Sequence, residues 1–276
     1  MADAEHFATV LEREVTTLRR SRTIWLLAAA FFAIIVGIGA ISETSGYVPL
    51  TLTLLMPVEL LVPALTAAVG YRAVLADRER GETSVLQTYP LDAGSYVMGI
   101  YCGRLAWTLF VVAGSLLVAG ATVSFASPPA AVLAEYSGLD SPVYYLRFVV
   151  LTTAFAAVFL ALMVLLSTLA RSARRGLVTA LTLTVAVAIG LDLAILFGLT
   201  GGIIGESILP WYLALSPVSA YRGLVMTYVA APVATTVVRP AAPLVSVLSL
   251  CLWAVTSLLA AAITAWTSSS HLAESA

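Results

Sequence analysis

The sequence contains no lysine, and all fourteen of its basic residues are arginines. A P-loop needs a lysine to reach the β- and γ-phosphates of a bound nucleotide. The chain is therefore expected to have no ATPase site of this kind, and any ATP-driven work would have to come from a separate subunit. Histidine is almost as scarce, since His6 and His271 are the only two and both lie near the ends of the sequence.

Cysteine is also rare, with only Cys102 and Cys251, each within an apolar run and far from the other. We interpret them as small hydrophobic side chains, since a disulfide framework would need more cysteines outside the membrane. No cluster of Cys, His and Met has the spacing of metal ligands, so we expect no copper or zinc site, no cofactor and no catalytic residue. The formal net charge of −1 gives no indication of a nucleic-acid partner.

Charged residues make up only 11% of the chain, whereas hydrophobic residues make up 61% and the mean hydropathy is +1.00. A soluble domain does not have this composition, and long apolar runs recur along the whole sequence. We therefore predict an all-α polytopic membrane protein formed by a single domain over residues 1–276. Its six predicted spans are Ile24–Ile41, Tyr47–Tyr71, Tyr96–Thr122, Leu146–Ala170, Leu177–Thr200 and Ala242–Trp266.

The distribution of arginine predicts the orientation of these spans. Ten arginines fall within residues 13–22, 72–80 and 171–175, three segments that six spans place on one side. The other side has Arg147, Arg222 and Arg239. Because cytoplasmic loops are enriched in basic residues, we expect a multi-pass protein of the plasma membrane with both termini in the cytoplasm.

The segment before the first span, residues 5–22, has the pattern of an amphipathic helix. An apolar stripe formed by Phe7, Leu11, Val15 and Leu18 lies opposite charged residues. Such a helix can lie in the membrane surface with its arginines near anionic lipid. A helix that covers the end of the bundle in solvent is the alternative.

A second short helix is predicted at 216–231, in the outer loop 201–241. Ser216 has the position of an N-cap, Pro217 fits the first helical position, and Pro232 ends the segment. The segment is too short to cross a bilayer, so we interpret it as re-entrant or interfacial. If it does cross, the spans number seven and the C-terminus lies outside.

Three charged residues fall well inside predicted spans: Glu59, which lies between Pro57 and Pro63, Asp192 and Arg104. A charge at the bilayer centre costs about 2.5–3.5 kcal/mol on insertion scales, so such residues normally face a partner or a water-filled cavity. We interpret them as the lining of a translocation path. Alternatively, Glu59 is protonated and hydrogen-bonded within the bundle, and Arg104 extends to the membrane surface.

Between the second and third spans, the stretch ADRERGETSVLQTYPLDAG at 76–94 gathers charges of both signs. A nearly neutral segment of this kind suits a polar protein surface better than anionic lipid. We predict a short cytoplasmic helix, interrupted at Gly81 and ended by Pro90, that transmits force into the adjoining spans. An ordinary solvated loop is the alternative.

The stretch from Pro63 to Arg104 resembles the ABC-2 type permeases of ATP-binding-cassette transporters. The resemblance is carried by Glu79-Arg80, Gly81, Glu82, the run Val85-Leu86, Pro90, Gly99 and Gly103. In that family this region forms a coupling helix that docks into the ATPase subunit. The resemblance implies a coupling region at 72–95, with ATPase contacts at Asp77, Arg78, Glu79, Arg80, Gly81, Glu82 and Pro90.

Within that family the chain is most similar to the permeases of nitrous-oxide reductase maturation, in pieces such as GLDLAILFGL and LSPVSAYRGLVM. It departs from the family at Ile100, where lysine is common, and from the subfamily at Val218 and Ser219, where an aspartate is common. The resemblance implies a homodimer with two ATPase subunits, and a sulfur species as cargo for an extracytoplasmic copper chaperone. An ABC-2 exporter of a drug, lipid or glycan, an ion-driven secondary transporter and a non-transporting scaffold or sensor are the alternatives.

Overall fold

The computed structural model of the chain describes residues 2–42, 46–83, 92–125, 140–202, 209–232 and 242–273. All regular elements in these residues are helical, which confirms the predicted all-α membrane architecture. The described α-helices, in chain order, are α1 Ala2–Arg20, α2 Arg22–Ile41, α3 Tyr47–Gly70, α4 Leu75–Glu79, α5 Ala93–Thr122, α6 Pro142–Leu169, α7 Ala173–Val185, α8 Leu191–Thr200, α9 Leu209–Leu215, α10 Pro217–Val225 and α11 Pro243–Ala273. Five of them, α2, α3, α5, α6 and α11, are long and apolar enough to cross a membrane.

The predicted fifth span, 177–200, consists of two α-helices joined by a π-helical turn. A π-helical turn at Ala186–Gly190 joins α7 to α8, so helical conformation continues across the junction. Neither α7, with 13 residues, nor α8, with 10, has the length of about 20 residues that a span requires. Only the two helices together reach it.

Short polar residues fix where several helices begin. Ser141 caps α6 and Ser216 caps α10, and each is followed by a proline at the first helical position. Asp92 caps α5 by accepting hydrogen bonds from the amides of Gly94 and Ser95. These caps satisfy amide groups that the helix itself leaves without partners. The predicted start of the helix at Ser216-Pro217 is thus the observed one.

Helix α6 lies at the centre of the bundle and packs against α3, α5 and α11. Its side chains Phe148, Phe155 and Phe159 are fully buried, and in a membrane such side chains stabilise the bundle through close van der Waals packing between helices. Tyr221 of α10 stacks on Phe155 with ring centroids 4.4 Å apart. Its hydroxyl hydrogen-bonds the hydroxyl of Thr152 at 2.8 Å. The short helix α10 is therefore anchored in the core.

Helix α1 packs closely along the first turns of α5. A Cβ atom added to Gly99 would lie 2.8 Å from Val10, and one added to Gly103 would lie 2.8 Å from Glu14. Glycine at these two positions therefore lets the helices approach more closely than larger residues would allow. Because the contacts advance in the same order along both helices, α1 and α5 run in the same direction.

The face of α1 that is buried is turned by about one residue from the predicted apolar stripe. Val10, Glu14 and Leu18 are buried, whereas Phe7, Leu11 and Val15 are partly exposed. The reason is that Glu14 has an ion-pair partner on α5, which makes its burial favourable. The predicted helix is present, and it packs closely against α5 of the same chain.

Candidate functional site

Glu59 lies near the middle of α3 and forms an ion pair with Arg222 of α10. Its two carboxylate oxygens accept from Nε and Nη2 of Arg222 at 2.8 and 2.5 Å, a geometry that matches the guanidinium fork. The Glu59 side chain is 9% exposed and that of Arg222 is 45% exposed. The pair links the long helix α3 to the short helix α10.

Asp192, at the start of α8, joins the same cluster. Its carboxylate accepts from the hydroxyls of Ser216 and Ser219, both at 2.7 Å, and lies 3.6 Å from Nη1 of Arg222. Residues 216, 219 and 222 are spaced by three, which places them on one face of α10. This polar face therefore joins α8 to α3, and we call Glu59, Asp192, Ser216, Ser219 and Arg222 the outer polar cluster.

The charges of the outer polar cluster restrict what can surround it. It contains two carboxylates and one guanidinium, and the side chains of Asp192 and Arg222 are partly exposed. Hydrocarbon solvates such groups poorly, whereas water or another protein surface can solvate them. The exposed side of the cluster is therefore suited to a water-filled path or to a protein contact.

The sequence did not lead us to Arg222 as a member of this cluster. Glu59 and Asp192 were predicted as path residues, and the structure brings them together through an arginine 163 residues from Glu59 in the chain. The available signal was the spacing Ser216, Ser219, Arg222, which predicts one polar stripe on an otherwise apolar helix.

The third predicted path residue, Arg104, lies in a different place. Its Nε donates to Glu14 of α1 at 2.9 Å, and its Nη1 donates to the carbonyl of Val69. Both side chains of the Arg104–Glu14 pair are at most 10% exposed. Arg104 lies beside α1, at a level that precedes the start of the first span, α2, and its partner is not one of the other two predicted path residues.

Asp77 is the centre of a second cluster, at the arginine-rich end of the bundle. This carboxylate is 1% exposed and accepts from Arg13 of α1 at 2.5 Å, from Arg80 at 2.7 Å and from the hydroxyl of Tyr96 of α5 at 2.7 Å. Burial lowers the pKa of Arg13, but attraction to Asp77 and Glu14 outweighs it, so this pKa lies above its ordinary value. We call Asp77, Arg13, Arg80 and Tyr96 the Asp77 hub.

The next two predicted docking residues also make contacts within the chain. Arg78 donates to the carbonyls of Thr168 and Ala170 at the end of α6. Glu79 accepts from the amide of Ala173 at the start of α7 at 2.7 Å, a favourable place for a carboxylate. Side chains of the segment 72–83 thus bind the link between α6 and α7.

Helix α4 receives its N-terminal cap from α6. The hydroxyl of Ser167 accepts from the amides of Val74 and Leu75 at 2.8 and 3.0 Å. This contact satisfies two amides that a helix start leaves without partners. The three arginine-rich segments of the sequence, in α1, 72–83 and 170–175, consequently meet at one end of the bundle.

The outward side of this end is formed by Arg80, Gly81 and Glu82. The side chains of Arg80 and Glu82 are 56% and 44% exposed and form an ion pair at 2.9 Å. Gly81 has φ of 74°, a left-handed conformation that glycine adopts without strain, and it follows the end of α4. Pro90 lies outside the described residues. Across the described ranges, no group of three His, Cys, Asp or Glu side chains is placed to hold a metal ion.

Comparison with known proteins identifies the relatives of this chain. A family model described as "ABC-2 family transporter protein" matches residues 8–267. A "Probable ABC transporter permease protein NosY" of Pseudomonas aeruginosa is 28% identical over 228 residues, covering 78% of this chain and 79% of the relative. A protein of the same description from Stutzerimonas stutzeri is 26% identical over 227 residues, covering 77% of this chain and 78% of the relative.

Proposed function

Since the chain belongs to the ABC-2 family of transporter proteins, we propose that ATP hydrolysis on two copies of a separate ATPase subunit drives its transport cycle through the segment 72–83. As an ABC-2 permease it is the membrane subunit of an ABC transporter, and both of the relatives named above are described as ABC transporter permease proteins. The expected role is that of a transporter component without catalytic chemistry of its own.

The observation that carries the coupling proposal is the Asp77 hub. One buried carboxylate binds α1 through Arg13, the turn after α4 through Arg80, and α5 through Tyr96. Because a buried charge that loses its partner costs about 3–5 kcal/mol, these elements should move together when one is pushed. A force applied to 72–83 would then reach α1 and α5 at once.

The docking contacts are the exposed residues of this segment. Arg80 and Glu82 offer one charge of each sign to a partner, whereas Asp77, Arg78 and Glu79 hold the segment in place. Gly81 shapes the turn between them, and Pro90 would end the segment. Following the distribution of arginine, we propose that this end faces the cytoplasm in the plasma membrane, together with both termini.

The translocation path is proposed to run past the outer polar cluster, between two copies of the chain. Helix α8 buries none of its ten residues within the chain, and the partly exposed Asp192 and Arg222 adjoin it. A second copy and a water-filled path would together solvate these charges better than lipid. We assign Glu59, Asp192 and Arg222 to the lining, and Arg104 to the anchoring of α1.

For the cargo, we propose a sulfur species that supports assembly of a copper site in nitrous-oxide reductase, delivered to an extracytoplasmic copper chaperone. This part rests on the likeness to the NosY permeases and on the pieces of sequence that resemble their subfamily. The absence of lysine from the chain agrees with a motor that resides in a separate subunit.

The test is co-expression of the chain with its ATPase and measurement of two quantities, ATPase retained on the tagged chain and ATP hydrolysis per complex. Replacing Glu82 with alanine should reduce retention, because this removes an exposed charge of the contact and leaves the contacts of Asp77 with Arg13, Arg80 and Tyr96 in place. Arg147→Ala serves as the matched control, since this arginine lies at the opposite end and donates to the carbonyl of Tyr228. Undiminished retention and hydrolysis in Glu82→Ala would contradict the docking assignment.

A further inference from the structure

An apolar groove of about 390 Å³ runs between α2 and α5. Trp25, Ala29 and Phe32 form one wall, and Phe110, Gly114 and Val118 form the other. Residues 25 and 32 are seven apart, so the groove is about 10 Å long at the helical rise of about 1.5 Å per residue. It belongs to neither of the clusters described above.

The chemistry of the lining calls for an apolar occupant. Ser115 contributes the one side-chain hydroxyl of the lining, and it already donates to the carbonyl of Val111 at 2.7 Å. The indole nitrogen of Trp25 is engaged as well, as a donor to the carbonyl of Arg19. Phe32, Phe110 and Val118 on its rims are 40%, 66% and 43% exposed. Because these exposed apolar side chains lie on membrane-spanning helices, the groove opens toward the hydrocarbon of the bilayer.

The chemistry at one end of the groove calls for a negative charge. Arg19, Arg20 and Arg22 lie within two turns before Trp25, and all three side chains are exposed. Within the part of the chain that the structure describes, none of the three forms an ion pair, whereas Arg13 and Arg80 nearby in the fold do. Three unpaired guanidinium groups beside an apolar groove match the two halves of an anionic phospholipid.

We propose that one anionic phospholipid binds each copy of the chain, with its phosphate on Arg19, Arg20 and Arg22 and one acyl chain in the groove between α2 and α5. The phosphate contacts are charge-assisted, and the acyl chain follows α2 away from the arginine-rich end. The proposal does not depend on the transport cycle, because it rests on α1, α2 and α5 alone.

The test uses the purified full-length chain in mixed phosphatidylcholine and phosphatidylglycerol, with native mass spectrometry to count the lipids retained. The wild type should keep one phosphatidylglycerol per chain. Gly114→Leu should lower the retained fraction at least about tenfold, since a Cβ added there meets nothing within 4 Å and the side chain would fill the groove. Gly37→Leu is the matched control, because Gly37 on α2 has equal space but lies outside the lining.

Charge is tested by replacing Arg19, Arg20 and Arg22 together with glutamine, which should lower retention by a similar factor. The same triple change at Arg171, Arg174 and Arg175, exposed arginines of the same end of the bundle, should leave it unchanged. As a measurement on the unaltered groove, phosphatidylglycerol with brominated chains should quench Trp25 fluorescence, identified by difference from Trp25→Phe, more strongly than brominated phosphatidylcholine.

Several outcomes would overturn the proposal. Loss of lipid in the arginine variant but not in Gly114→Leu would indicate attraction to the membrane surface without a bound chain. Loss in Gly114→Leu alone would indicate an apolar occupant without headgroup recognition. A Gly114→Leu variant that separates two copies of the chain, with lipid retention unchanged, would assign the groove to a contact between copies.

Discussion

Removing the guanidinium of Arg222 should lower the stability of the fold more than removing the carboxylate of Glu59, although the two residues form one ion pair. Glu59→Gln leaves Arg222 with a second carboxylate, that of Asp192, at 3.6 Å. Arg222→Gln leaves Glu59 and Asp192 near each other with no cation between them. The asymmetry follows from the composition of the outer polar cluster, with two carboxylates and one guanidinium.

The magnitude can be estimated from burial. Glu59 is almost fully buried, and a buried charge that loses its partner costs about 3–5 kcal/mol, whereas an exposed pair is worth about 0–1 kcal/mol. Because Arg222 is half exposed, we expect about 3 kcal/mol for Arg222→Gln and about 1 kcal/mol for Glu59→Gln. For a chain of this size these values correspond to decreases in melting temperature of roughly 6–12 °C and 2–4 °C.

The assay is the melting temperature of the purified chain in detergent for the two single variants and the double variant Glu59→Gln/Arg222→Gln. The double variant should be more stable than Arg222→Gln alone, since it removes the unpaired carboxylate. Arg147→Gln is the control, because that arginine lies over the Tyr144 ring and forms no ion pair among the described residues. Equal losses in the single variants, or additive losses in the double variant, would refute this reasoning.

Three further variants test the other end of the bundle. Asp77→Asn should lower the melting temperature by several degrees and weaken the link between ATP hydrolysis and transport, since Arg13 loses its buried counter-charge; an unchanged melting temperature would contradict the hub. Gly103→Val should displace α1, because its Cβ would lie 2.8 Å from that of Glu14, and increased proteolysis of α1 measures this. Ser167→Ala should cost about 1 kcal/mol of unfolding free energy, seen by melting, because α4 loses its cap; no change would exclude the capping role.

The sequence predicted well those features that depend on local pattern. Apolar length located the five helices that are long and apolar enough to cross a membrane, and Ser216-Pro217 marked a helix start that the structure contains. The clustering of arginine correctly grouped α1, 72–83 and the α6–α7 link at one end. These features follow from composition within one segment, so no knowledge of long-range packing was needed.

Features that depend on packing between distant segments were less accessible. Arg104 falls inside an apolar run, but α5 has 30 residues, more than a span of about 20 requires, and its first turns lie beside α1. The outer polar cluster joins Glu59 to Arg222 across 163 residues. Hydrophobic pattern alone did not select the correct partner among the three arginines predicted on the outer side.

The same limit applies within the charged segment. Asp77, Arg78 and Glu79 were interpreted as docking residues because they are charged and lie in the stretch that resembles the coupling region of ABC-2 permeases. Their partners Tyr96, Thr168 and Ala173 are supplied by three other helices, which the segment's own sequence does not specify. This packing alone decides which charged residues of the segment are buried and which are exposed.

The central claim is that the segment 72–83 meets the ATPase, and cross-linking measures this most directly. The starting chain has Cys102 and Cys251 replaced by serine, and two separate variants of it, Glu82→Cys and Thr200→Cys, each carry one new cysteine. Thr200 is exposed near the opposite end of the bundle. Each variant is co-expressed with the ATPase and treated with a short thiol cross-linker. We expect a covalent product of chain and ATPase from Glu82→Cys and none from Thr200→Cys. A product from Thr200→Cys alone, or from neither position while the two proteins still co-purify, would contradict the claim.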